Sequence, residues 1–170
     1  PILHEVTHYI QEHAHKEMAI LDLGCGEGYY AFKAKQILGD QNRYYALDIS
    51  KEAINMATRY DQDITWIVGN SKNIPILDHS LDVIMALFTV VNANEIARTL
   101  KKDGYMIHVT ANKNHLIEIK HLIYDEVHEK SDEFIRQPFP VIESYDFTKK
   151  VNINNAKISV AGLLSLRKMI

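Results

Sequence analysis

The chain has 170 residues, enough for one well-buried α/β domain and too few for two comfortable ones. An apolar fraction of 46% and a charged fraction of 24% are ordinary for a globular protein, no apolar run approaches the length needed to span a bilayer, and a net charge of −3 argues against a module that grips nucleic acid by charge alone. The lone cysteine, Cys25, excludes an internal disulfide and any multi-cysteine zinc site. With no signal-peptide pattern, the expected setting is cytoplasmic with no membrane partner.

Pro1 to about His15 reads as an amphipathic helix with Ile2, Leu3, Val6 and Ile10 on one side. Proline suits a first helical turn, and so abrupt an opening fits a preceding segment outside this chain. A single domain is expected over residues 1–170. His4, His8, His13 and His15 all lie here, but no carboxylate-and-third-ligand pattern joins them, so surface histidines are expected rather than a metal site.

The chain is organised around Ile20-Leu21-Asp22-Leu23-Gly24-Cys25-Gly26-Glu27-Gly28 and the Tyr29-Tyr30-Ala31-Phe32 that follows. A short apolar run from Met18 stops at an acid and a glycine cluster, and a helix to Leu38 resumes at once, closed by Gly39. A buried parallel strand hands over to a helix in this way. Glycine admits backbone angles closed to other residues and lets a ligand approach the main chain, while the helix start offers free N–H groups. Dinucleotide folds want G-x-G-x-x-G; here the spacing is G-x-G-x-G, and Tyr29 stands where the third glycine belongs, where a bulky ring would obstruct the close packing a dinucleotide site needs, which argues against that ligand. Cys25 suits a tight space and has no recognisable histidine partner to make it a nucleophile.

Arg43 to Asp48 is a second strand, ending in an acid twenty residues after Gly28. Such an acid is placed to accept from both ribose hydroxyls of an adenosine; otherwise it merely caps the next helix, where Ser50 caps and Glu52 lies in the first turn. Ile64 to Val68 is a third strand, followed by Gly69-Asn70-Ser71, where Asn70 could accept from an adenine amino group. Leu81 to Phe88 is a fourth strand, Ala93 to Leu100 a helix, Lys102-Asp103-Gly104 a turn and Tyr105 to Thr110 a fifth strand.

Alternating strands and helices predict an α/β fold: a doubly wound, mostly parallel Rossmann-like sheet with helices on both faces. Ligands bind such sheets at the carboxyl ends of the strands, where Asp22, Gly24, Asp48, Asn70 and Phe88 all fall. The expected cofactor contacts are these five with Cys25, Gly28, Ile49 and Ser71. Asn114 to about Glu126 is a further helix, with His115 and Glu126 on its apolar side. His115 is either near the cofactor mouth or an exposed first-turn histidine. Beyond Lys130, Gln137-Pro138-Phe139-Pro140 is a loop, Ile142 to Ile153 alternates like a strand, Asn154-Asn155 suits a turn, and Ile158 to Leu166 fits strand or helix equally.

The glycine string, Leu47-Asp48-Ile49-Ser50-Lys51 and the block from His115 to Val127 together resemble the large-subunit rRNA (guanine-N1)-methyltransferases, from about Ile20 to His128. The glycine spacing resembles motif I of class I S-adenosylmethionine (SAM) methyltransferases. The resemblance implies a SAM cofactor, with contacts from Gly26, Glu27 and His115 beside Asp48. That family carries an N-terminal zinc module for RNA, which this chain does not contain, so any rRNA partner would be held partly by a segment outside it. Guanine N1 must lose a proton before it attacks, and Glu126 and His115 are the expected bases. Phe88 could stack on the extruded base. The alternatives are a small-molecule SAM methyltransferase, favoured by the acidic balance, and a SAM-binding protein without turnover.

Overall fold

The computed structural model describes residues 2–111, 141–153 and 156–168. Its elements in chain order are α1 (Ile2–Glu12), β1 (Ala19–Leu23), α2 (Tyr29–Leu38), β2 (Arg43–Asp48), α3 (Lys51–Ala57), β3 (Thr65–Val68), β4 (Leu81–Leu87), α4 (Ala93–Thr99), β5 (Leu100–Ala111), β6 (Val141–Ile153) and β7 (Ala156–Lys168). The predicted helix from Asn114, with His115 and Glu126, lies outside the described residues, as do the loop at 137–140 and the turn at Asn154-Asn155.

One seven-stranded sheet carries the order β3-β2-β1-β4-β5-β7-β6. The first five strands run parallel, and β7 is antiparallel to both β5 and β6. The α/β Rossmann-like class and mostly parallel sheet are therefore as the sequence predicts. Strands β2 and β3 extend one way from β1 and β4 and β5 the other, which makes the gap between the ends of β1 and β4 the topological switch point.

β1 and β4 are buried along their whole length, as central parallel strands require. Alternation divides their side chains between two cores. Ile20, Val83, Met85 and Ile107 meet Val6 and Ile10 of α1, Ala31 and Ala34 of α2 and Ile54 of α3. Ala19, Leu21, Leu23, Ile84 and Met106 lie in a second core with Ile96 of α4. Helices thus cover both faces. Among the described residues no helix is long and apolar enough to cross a membrane.

Three boundaries differ from expectation. Helix α1 stops at Glu12, short of His15, whose ring instead reaches Asp82 at 3.0 Å across the sheet's amino end. The expected turn at Lys102–Gly104 is an irregular stretch within β5, where the register with β4 shifts between Leu81 and Val83. Ile158 to Leu166, undecided in the sequence, is strand: β7 inserts between β5 and β6.

Candidate cofactor site

The turn after β1 is built by backbone bonds that only a glycine-rich string permits. Gly24, Gly26 and Gly28 have φ of 74°, 54° and 82°, the left-handed region. The N–H groups of Gly24 and Cys25 donate to Leu47 O at 2.8 and 3.0 Å, tying the turn to the end of β2. A Cβ on Gly24 would collide with the Thr89 side chain, and one on Gly28 with Trp66 and Ala57. Gly28 is therefore where helix and strand pack closely. Tyr29, in the place of a dinucleotide fingerprint's third glycine, is 55% exposed.

Asp48 sits half-buried at the tip of β2 and braces the turn. Its Oδ2 accepts from Gly26 N at 2.8 Å and its Oδ1 from Ser50 N at 2.9 Å. Each carboxylate oxygen keeps a second lone pair, so the side chain can brace the loop and still accept from two hydroxyls. Ser50 caps α3 by accepting from Ala53 N at 3.1 Å, so capping falls to Ser50 rather than to Asp48.

Asp22 is the electrostatic oddity. It is 2% exposed near the carboxyl end of β1, and its Oδ2 meets no hydrogen-bond donor among the described residues. Burial pushes its carboxyl up to about 7; the Ala31 backbone N–H opposes this and the Asp48 charge adds to it. Burial, then the charges of Asp22 and Asp48, also push the Cys25 thiol far up, so Cys25 stays a neutral small residue.

The other expected contacts line the same end of the sheet. Glu27 and Ile49 are exposed on the loops after β1 and β2. Asn70 and Ser71 follow β3, where Asn70 Oδ1 accepts from Lys72 N at 2.9 Å, leaving one lone pair and the NH2 group for a ligand. Phe88, with φ 57° and 42% exposure, follows β4 and donates its N–H to Val109 O. A positive φ at a large aromatic residue is a backbone outlier of the kind that clusters at functional sites. The sequence reading missed Thr89 and Trp66, the surfaces that Gly24 and Gly28 press against; only the requirement for glycine hinted at them. Among the described residues no group of His, Cys, Asp or Glu could hold a metal ion.

These residues fit SAM. Its ammonium would meet the unpartnered Asp22 oxygen and its ribose hydroxyls Asp48, while the open space beside Gly26 lets its amino-acid tail approach the main chain of the bend.

A glycine turn at the topological switch point with a strand-end acid beside it defines a nucleoside-cofactor protein of the doubly wound class. The chain belongs to the methyltransferase domain family, whose model matches residues 14–155. It is 31% identical over 119 residues to YxjB of Bacillus subtilis (strain 168), named provisionally as a 23S rRNA (guanine-N1)-methyltransferase, covering 66% of this chain and 40% of that protein. An uncharacterized Methanocaldococcus jannaschii protein is 32% identical over 109 residues, covering 61% of this chain and 45% of its own length. The chain thus spans less than half of these relatives. A SAM-dependent methyltransferase from Aquifex aeolicus shares the fold with a TM-score of 0.66 at 17% identity, over 96% of this chain and 88% of that one.

Proposed function

We propose that this domain uses SAM to methylate N1 of a guanine in large-subunit rRNA. The cofactor half is carried by one observation: a buried Asp22 carboxylate whose Oδ2 is unpartnered, beside a glycine turn that Asp48 braces. The acceptor half is supported by the resemblance of the His115–Val127 block and by the similarity to YxjB.

SAM supplies an activated methyl carbon when bound, so the protein's share is positioning and exclusion of water. Asp48 and the glycine turn hold the cofactor in the switch-point crevice. Phe88, at the crevice mouth, offers a flat face to the base that must leave its stack. Glu126 or His115 takes the N1 proton in this reading.

Methylation of a small molecule is the second reading, favoured by charge. The net charge is −3, and of the small basic clusters Lys101-Lys102 has Lys101 engaged with Asp82 at the far end of the sheet. Labelled SAM incubated with a 23S rRNA transcript and, separately, with a metabolite panel decides between them. Label on the transcript supports the rRNA reading, and label on a metabolite replaces it. Tight SAM binding with no transfer to either would make the domain a binding module.

A further inference from the structure

Apart from the Ala31 N–H, which serves Asp22, the N–H groups of the glycine turn that the structure pairs are committed elsewhere. Gly24 N and Cys25 N go to Leu47 O, Gly26 N to Asp48, and Gly28 N to Cys25 O. Asp22 Oδ2 is left without a donor in a site that water barely reaches. The titratable groups facing it are Asp48 at the end of β2, Cys25 in the turn and Tyr30 on α2. None of them brings a positive charge. A buried carboxylate with a single backbone donor, Ala31 N–H, one oxygen left bare, no cation and a second carboxylate nearby is held more cheaply with its proton than without.

We propose that cofactor capture is coupled to proton loss: Asp22 is a carboxylic acid in the empty site and gives up its proton as the cofactor's ammonium arrives. This rests on the SAM reading above and adds a pH dependence to it. The ammonium supplies the donor and the charge that the protein withholds, so the ionised form becomes the favoured one. The proton goes to solvent, and no other bond changes. Below the range in which the empty-site acid titrates, at about 7, each bound cofactor therefore releases nearly one proton. Above that range the acid is already ionised and release disappears. Below pH 7 the ammonium itself stays mostly charged, since an α-amino group titrates near 7.7–8.0.

Calorimetric titration of the whole chain with SAM, between pH 5.5 and 7 in buffers of differing ionisation enthalpy, tests this. The expected results are release of about one proton at pH 6 and a Kd that rises roughly ten- to twentyfold from pH 7 to pH 5.5. Asp22→Asn, an isosteric change, should bind more weakly with a flat pH profile and no proton release. Binding by the natural chain without proton release overturns the coupling and leaves the SAM reading standing. Release that persists in Asp22→Asn overturns the assignment to Asp22. Absence of SAM binding at every pH removes the reading of the site and the coupling together.

Discussion

Two buried aspartates on neighbouring parallel strands, Asp22 in β1 and Asp82 in β4, are 2% and 4% exposed yet are treated in opposite ways. Asp82 sits at the amino end of the sheet. Lys101 Nζ donates to both of its oxygens at 2.9 and 2.8 Å, Ala19 N donates at 2.8 Å and His15 Nε2 lies at 3.0 Å. Burial raises the Asp82 carboxyl, but these partners outweigh it and hold it below the usual carboxylate range. Asp22, at the carboxyl end, has burial and a neighbouring carboxylate against it and only the Ala31 N–H in its favour. Burial is shared; the partners differ. The amino end is a finished joint between the α1–β1 connection, β4 and β5, whereas the carboxyl end leaves a charge to be matched from outside.

The comparison predicts opposite signs for the same substitution. Asp22→Asn should stabilise the cofactor-free protein at pH 8 by up to about 4 kcal/mol, each pKa unit being worth about 1.4 kcal/mol. For an acid whose folded pKa is raised, the folded state alone holds the proton between about 3.8 and about 7. The cost of Asp22 is then complete above pH 7 and shrinks as pH falls, so urea denaturation should show the gain declining toward pH 5. Asp82→Asn should instead cost about 2–3 kcal/mol at neutral pH, since it strips the charge from a buried pair while half-exposed Lys101 can rehydrate. Its depressed acid contributes at neutral pH and loses that contribution as pH falls through its folded value, so acid should erase the difference from the natural chain. Equal signs for the two variants would break the comparison.

A smaller effect sharpens it on the ligand side. Asp48→Ala should weaken SAM binding ten- to a hundredfold, because a hydrogen bond to a charged group is worth roughly 1.5–3 kcal/mol. An unchanged Kd by calorimetry would take Asp48 out of the site.

What was legible in the sequence is what short-range backbone chemistry dictates. The glycine string, the Ser50 cap and Gly39 closing α2 each depend on residues a few positions away, and they stand where the pattern puts them. The strand-end rule then brings Asp22, Asp48, Asn70 and Phe88 to one edge without reference to their partners. Long-range bonds were not legible. His15 leaves the helical pattern for an acid 67 positions away, and Lys101 leaves the expected turn region for the same acid 19 positions back. Val160-Ala161-Gly162-Leu163-Leu164 is a continuous apolar run that suits a helix or a strand flanked by strands, and only the sheet decides. That Asp22 lacks a partner is a fact about its surroundings, which no spacing reveals.

The smallest effect belongs to His15→Ala. Its side chain is 59% exposed, so the contact with Asp82 is partly screened by water, and Lys101 and Ala19 N remain in place after its loss. Removing it should cost about 0.5–1 kcal/mol in urea denaturation and leave the Kd for SAM unchanged. The second half matters more than the first, because β1 carries Ala19, which donates to Asp82, at one end and Asp22 at the other. A rigid, fully buried strand with a satisfied amino end should hold Asp22 in place whether or not one of several partners is trimmed. A loss above about 2 kcal/mol, or a shift in SAM affinity, would show that the joint at one end of β1 sets the geometry of the site at the other.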